Sequence, residues 1–309
     1  MGHYINPFTD WGFKKLFGQE VTKDILIAFL NGLLEGEHEI EDVQYLDKEQ
    51  LPETKDMRGL IYDVYCRTKD GERIIVEMQN RDQAHFIDRT TFYMAKAVTS
   101  QGERGEWDYR LDAVYGVFFM NFRSGELRSG RFRTDVMLMD RETHDVVSEK
   151  VRMIYLQLPC FQKREEECET MFDRMMYTLK NMEILEKIPF LSQNEVFRKL
   201  AEIADVNTLT AEEHEKYDSS IKLLRDNIAV YQGAIREGME KGMAKGREEG
   251  RMEGRLEGRE EGLQEGREEG LVEGKVDTIR QLLSSGMSKD TIASALQMDI
   301  AELEGLLGE

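Results

Sequence analysis

Three cysteines are too few, and too scattered, to staple this chain. Cys66, Cys160 and Cys168 show no metal-type spacing, and only the last two lie near each other. Neither a disulfide framework nor a cysteine metal cluster is expected. The sequence also lacks a charged-then-apolar N-terminal segment, and no apolar run approaches the roughly 18 residues of a membrane span. These absences describe a cytoplasmic protein of a reducing compartment with no membrane partner. Positive charge is short as well: 42 Lys and Arg stand against 61 Asp and Glu, a net charge of −19. Such a chain repels nucleic acid at long range, so any nucleic-acid binding has to rely on a local basic surface. Histidine numbers only five. His85 has no second histidine at ligand spacing and reads as a surface residue.

What is present suffices for a core. The apolar fraction is 40%, while the charged fraction of 33% is high for a compact globule. A length of 309 residues accommodates one sizeable domain with extensions. The chain is organised around residues 59–80, GLIYDVYCRTKDGERIIVEMQN. Two runs rich in Ile, Val and Tyr flank Asp70-Gly71, a hairpin signal. Strand residues alternate faces, so Glu77 and Gln79 point one way and Met78 the other. A two-residue turn would set Asp63 opposite Met78, on the strand beside Glu77 and a few ångströms from it. Two carboxylates at the end of an apolar hairpin cannot both be buried without a cation or a shared proton. As hard oxygen ligands with room for water, they suit Mg²⁺ or Mn²⁺.

Upstream, Thr9 or Asp10 can cap a short helix whose apolar positions are Trp11, Phe13, Leu16 and Phe17. Asp10 has two readings, an N-cap or a third acidic group carried to the metal by that helix. Residues 21–34 form a second helix with Ile25, Leu26, Phe29, Leu30 and Leu33 on one stripe. Residues 41–47 alternate weakly as a strand, and residues 47–58, charged and containing Pro52, read as a loop. Lys55 and Arg58 in that loop are either surface charge or phosphate contacts. Residues 83–101 read as a helix packed behind the hairpin, on which Arg89, Tyr93 and Lys96 share a face. That face lies either towards the carboxylates, supplying positive charge, or in solvent as a salt-bridging surface. Residues 111–122 are almost continuously apolar, as in a strand buried on both faces, and 132–139 and 151–158 are further strands. The resulting fold class is α/β, a mixed sheet covered by helices.

An ordered set of pieces carries a family resemblance: Asp10 followed by Phe13-Lys14-Lys15-Leu16-Phe17, Asp63 in an apolar strand, Glu77-Met78-Gln79, and the helix with Arg89, Tyr93 and Lys96. The chain resembles the Rpn family of recombination-promoting nucleases, also described as PD-(D/E)XK nuclease family transposases. The likeness is closest over residues 6–125 and looser beyond. It implies a restriction-endonuclease-like fold and Mg²⁺- or Mn²⁺-dependent cleavage of DNA, with Asp63 and Glu77 as metal ligands and the Met78 carbonyl as a further one. Gln79 stands where lysine is usual in the wider superfamily, although the Rpn-like branch commonly has glutamine there. Glutamine orients a water but cannot balance developing negative charge. Lys96 or Arg89 is the expected source of that charge. The alternative is a nuclease fold without activity, acting as a DNA- or protein-binding or oligomerisation module.

The second half differs in character. Residues 1–160 read as the nuclease-type domain and 161–232 as a helical region, with Pro189 dividing one helix from the next and Thr208 or Thr210 capping another. In residues 233–275, ten glycines recur at every fourth position from Gly238 to Gly274. Glutamate usually precedes them and arginine often follows. As a lone helix this is poor, since each Gly costs about 1 kcal/mol against Ala and like charges meet at i, i+4. A partner helix relieves both faults, which points to a homo-oligomer. At about 100° per residue the glycine stripe drifts ~40° per repeat, so full contact requires a right-handed wrap. Residues 276–309 read as a small end module of short helices, poor in cations and suited to packing rather than DNA reading.

Overall fold

The computed structural model describes residues 3–37, 39–50, 60–102, 105–127 and 130–308. Two compact units divide the chain, Met1–Asn227 and Ile228–Glu309. The first opens with α1 (Asp10–Phe17) and α2 (Lys23–Leu33), the latter preceded by a 3₁₀ turn over Glu20–Thr22. Thr9, not Asp10, caps α1: its hydroxyl accepts from the Gly12 N–H at 3.0 Å. Strands β1 (Val43–Tyr45), β2 (Glu49–Gln50), β3 (Leu60–Ile61), β4 (Val64–Thr68) and β5 (Arg73–Gln79) follow. Then come α3 (Phe86–Thr99), β6 (Val114–Met120), β7 (Arg133–Met139) and β8 (Val146–Gln157). Six strands form one sheet in the order β1-β4-β5-β6-β8-β7, with β5, β6 and β8 parallel and the remaining pairs antiparallel. Helix α3 is the crossover between parallel β5 and β6, a βαβ unit within a mixed sheet.

Each face of the sheet has its own apolar layer. On one, Phe13, Phe17 and Phe29 of α1 and α2 surround Phe119, at ring-centre distances of 5.5, 6.1 and 5.1 Å. Val64, Ile74, Val76 and Val117 belong to the same layer. On the other face, Phe86, Met94 and Ala97 of α3 meet Tyr65, Ile75, Phe118 and Tyr155. Every residue of β6 is buried, as its unbroken apolar run requires.

Two expectations about the hairpin change. The turn holds three residues, Lys69 to Gly71, because the Thr68 N–H donates to the Glu72 carbonyl at 2.8 Å and Gly71 takes φ +96°. A turn followed by one left-handed residue suits glycine and sets the register one step from that of a two-residue loop. Val64 therefore pairs with Val76 and Cys66 with Ile74, which brings Asp63 level with Glu77 rather than Met78. The first arm is also not one strand. Tyr62 and Tyr65 both join the α3 layer while Val64 joins the other, so the alternation slips at a bend at Asp63. The stretch 47–58, expected as a loop, contributes β2, which pairs with β3 in a separate two-stranded sheet. Lys55 and Arg58 lie outside the described residues.

The unit closes with α4 (Met171–Asn181), α5 (Glu195–Ala204) and the start of α6 (Ala211–Ser284). Phe172, Met175, Met176 and Leu179 of α4 are core residues, as their spacing suggests. Thr210 caps α6, exchanging hydrogen bonds with Glu213. In the second unit, α6 gives way after Ser284 to α7 (Lys289–Leu296) and α8 (Ile300–Leu307). Ile279, Ile292, Ala293 and Leu303 make a small core there. Among the described residues no helix is long and apolar enough to cross a membrane.

Candidate active site

The end of β5 carries Glu77-Met78-Gln79, and the bend before β4 carries Asp63. Two hydrogen bonds tie them together. The Asp63 N–H donates to Glu77 Oε1 at 3.1 Å, and the Met78 N–H donates to Asp63 Oδ2 at 2.9 Å. The bend at Asp63 makes this possible, since it leaves the Asp63 main chain free of the regular ladder. Each carboxylate thus spends one oxygen on the main chain.

Burial dominates the electrostatics. It lifts the Asp63 carboxyl above its ordinary value, against the opposing effects of the Met78 N–H and of Lys14. It lifts Glu77 as well, with the Asp63 carboxylate as the second cause, and Arg89 and Lys14 opposing. An acid lifted by burial and by the carboxylate beside it is what a bound dication relieves. Hard oxygen donors fit Mg²⁺ or Mn²⁺, with water and a phosphate oxygen left to complete the shell. Among the described residues no group of three or more His, Cys, Asp or Glu is placed to hold a metal ion. Asp63 and Glu77 are the two carboxylates at this end of the sheet that could hold such an ion.

Gln79 is engaged at both ends of its amide: Nε2 donates to the Arg81 carbonyl at 3.2 Å, and Oε1 accepts from Arg89 Nη2 at 3.0 Å. Arg89 also donates to Gln83 Oε1 at 2.6 Å, and its guanidinium lies over the rings of Phe86 and Tyr93. Tyr93 packs edge-on against Tyr62, and the Tyr62 hydroxyl donates to the Tyr93 carbonyl. The first part of the α3 face therefore does lie towards the carboxylates. Lys96 sits nearly two turns beyond Arg89 on the same helix. It is not among the cations that act most strongly on the pair, which are Lys14, Lys48 and Arg89.

Lys14 and Lys48 went unnoticed in the sequence as members of the site. Lys14 reaches in from α1, its Nζ 2.6 Å from Asp10 Oδ1 and 4.0 Å from Asp63 Oδ1. Asp10 thus faces the site through Lys14 while Thr9 does the capping. Lys48 lies between β1 and β2, and its carbonyl accepts from the Tyr62 N–H at 3.0 Å. Its amine lies close to Gly18, at the C-terminus of α1. Burial lowers the Lys48 pKa first and nearby Lys14 lowers it further, while Asp63 and Asp10 oppose. The signal for Lys14 was its i, i+4 relation to Asp10, whereas Lys48 carried no local signal at all. Asn80 fixes α1 over this end of the sheet: its Nδ2 donates to the Phe8 carbonyl at 2.7 Å, just ahead of the helix.

A family model described as PD-(D/E)XK nuclease family transposase matches residues 7–234, which contain every element of this site. No curated protein and no solved structure matches the chain.

Proposed function

The chain belongs to the PD-(D/E)XK nuclease family transposases, and on that footing we propose that it is a Mg²⁺- or Mn²⁺-dependent DNA endonuclease acting at Asp63 and Glu77. The observation that carries this reading is the locking of two half-buried carboxylates by the main chain of the hairpin, Glu77 by the Asp63 N–H and Asp63 by the Met78 N–H. When bound, the ion supplies a water of lowered pKa and polarises the scissile phosphate. Asp63 and Glu77 would hold it with the oxygens they do not spend on the backbone, and the Met78 carbonyl would add a further ligand. Gln79 keeps Arg89 beside Glu77 and orients the attacking water. The local cations Lys14 and Lys48 provide the basic surface that an acidic chain needs in order to meet DNA. Nicks made this way leave ends on which recombination acts, in keeping with a recombination-promoting role. Nicking of supercoiled plasmid with Mg²⁺, Mn²⁺ or EDTA, in wild type beside Asp63→Ala and Glu77→Ala, tests the reading. Cleavage that needs the metal and both carboxylates supports it. A folded protein that nicks nothing points instead to a module that binds without cutting.

The glycine repeat serves a second copy of this chain in the same reading. Its ten glycines lie within α6, and a Cβ built on any of them meets nothing within 4 Å beyond the helix's own adjoining backbone. Met239, Met243, Met252, Leu256 and Leu263 are exposed along the same stretch. Self-association through α6 covers these apolar side chains and uses the close approach that glycine permits. Sedimentation of a chain ending at Gln232 checks it, and an unchanged oligomeric state would sink it.

A further inference from the structure

An active site that breaks a phosphodiester bond needs a positive charge facing the phosphate, and Gln79 carries none. Arg89 is poorly placed to provide it. Both its terminal nitrogens donate within the protein, to Gln79 and Gln83. Its Nε is buried without a hydrogen-bond partner, and aromatic rings on α3 hold its plane. Using it on a substrate would require dismantling that arrangement.

Lys14 is different in each respect. It approaches Asp63 from α1, not from α3, and its side chain is 35% exposed. Its partner Asp10 is 64% exposed and lies one turn back on the same helix, a surface pair of the kind that contributes little. A phosphate oxygen would replace that carboxylate with a charge-assisted hydrogen bond of at least equal strength. The helix that delivers Lys14 is itself fixed. Phe13, Leu16 and Phe17 are buried beneath it. On its other side, Lys15 pairs with Glu213 at 2.5 Å, and the Trp11 N–H donates to Ser220 at 3.3 Å. The amine therefore sits on a rigid mount, within 4.0 Å of a proposed metal ligand, and is free to exchange its partner.

We propose that Lys14 binds the non-bridging oxygens of the scissile phosphate and carries the charge-balancing role that Gln79 cannot, with Asp10 holding its amine when no nucleic acid is present. The proposal rests on the nuclease reading above and assigns a group that touches substrate.

The test uses the full chain and a labelled DNA substrate, with steady-state cleavage in Mg²⁺ and melting temperature measured for each variant. Wild type and Asp63→Ala establish whether the site cuts. Lys14→Ala, Lys14→Arg and Lys69→Ala are then compared. Lys69→Ala removes the same charge from the exposed hairpin tip, where that lysine pairs with Glu41. The expected result is a fall in kcat of about 10²–10³-fold for Lys14→Ala, the usual cost of removing one stabilising donor. KM should move far less, Lys14→Arg should recover much of the rate, and Lys69→Ala should match wild type. If Lys14→Ala melts early, Lys14→Met, which keeps the aliphatic stem, becomes the deciding variant. A folded Lys14 variant with wild-type kcat would overturn the proposal and leave the nuclease reading standing. Absence of metal-dependent cleavage in wild type would overturn both.

Discussion

Gly12 and Gly254 both sit inside α-helices, where glycine costs about 1 kcal/mol relative to alanine. They are there for different reasons. A Cβ at Gly12 would come within 2.2 Å of the Asn6 carbonyl oxygen and 2.7 Å of the Thr9 hydroxyl. Glycine is what lets the loop before α1 fold back onto the helix it caps. A Cβ at Gly254 would meet nothing within 4 Å. In the first unit the fold of the single chain accounts for its awkward residues; in the repeat it does not, and the proposed second copy of the helix would supply the reason.

The largest test of this division is chemical. Asp63→Ala and Glu77→Ala remove the proposed metal ligands, which on that reading supply several kcal/mol of transition-state stabilisation, so plasmid nicking should fall by at least about 10³-fold. Sedimentation of both variants should be unchanged. A carboxylate variant that altered the oligomeric state would break the separation of the two regions.

The glycines themselves come next. Gly12→Ala should destabilise the first unit by about 1–3 kcal/mol, the ordinary cost of an overpacked site, visible in a urea or thermal melt. Alanine at Gly254 should have the opposite sign for the isolated helix, a gain of about 1 kcal/mol, while it weakens association by keeping a second helix at a distance. Helicity that rises together with a retained oligomer would show that the stripe is not a contact surface.

A smaller effect follows from the raised acids. Their stabilising contribution is complete below the ordinary carboxylate range, where both states are protonated. It is lost as the pH climbs through the raised folded values, because the buried pair must then carry charge. Without divalent ion, Glu77→Gln should therefore melt a few degrees above wild type at pH 9, at about 2–4 °C per kcal/mol for a domain of this size. At pH 4 the difference should nearly vanish. Adding Mg²⁺ should raise the melting temperature of wild type at pH 9 and leave that of the variant nearly unmoved.

The smallest expected effect lies where α6 begins. The Lys15 amine holds Glu213 well down, at about 2, helped by the Thr210 N–H. A depressed acid stabilises above its unfolded value and loses that contribution as the pH falls through the folded one. Glu213 is a third exposed, so Glu213→Ala should cost only about 1 kcal/mol at pH 7 and less at pH 2. It should slow cleavage modestly by loosening α1, as single-turnover kinetics would reveal.

Much of this was legible in the residues. The apolar stripes of α1, α2 and α4, the unbroken run of β6 and the short helices α7 and α8 all declare themselves by period and length, because burial of one or both faces dictates their pattern. The hairpin and its two carboxylates were legible too. Its register was not, because Asp70-Gly71 signals a turn without saying whether Lys69 belongs to it. The bend at Asp63 was hidden for a related reason: hydrophobic residues on both sides of it read as one strand, and only the switch of Tyr62 and Tyr65 to the same layer exposes the slip. Lys48 could not be found at all. It comes to the site through the pairing of its own carbonyl with Tyr62, a contact between segments whose local sequences say nothing of each other.

The three-residue turn has a consequence for how this sequence can change. Surface loops ordinarily tolerate the gain or loss of a residue. Here the pairing set by the turn, Thr68 opposite Glu72, is what aligns Asp63 with Glu77. Deleting Arg73 alone, with the turn and every proposed ligand still encoded, would slide one arm past the other and set Asp63 against Met78, whose side chain packs in the layer opposite α3. The loss of one residue beside the turn would then be as damaging as the loss of a carboxylate, and an inspection confined to the acidic residues would pass over it.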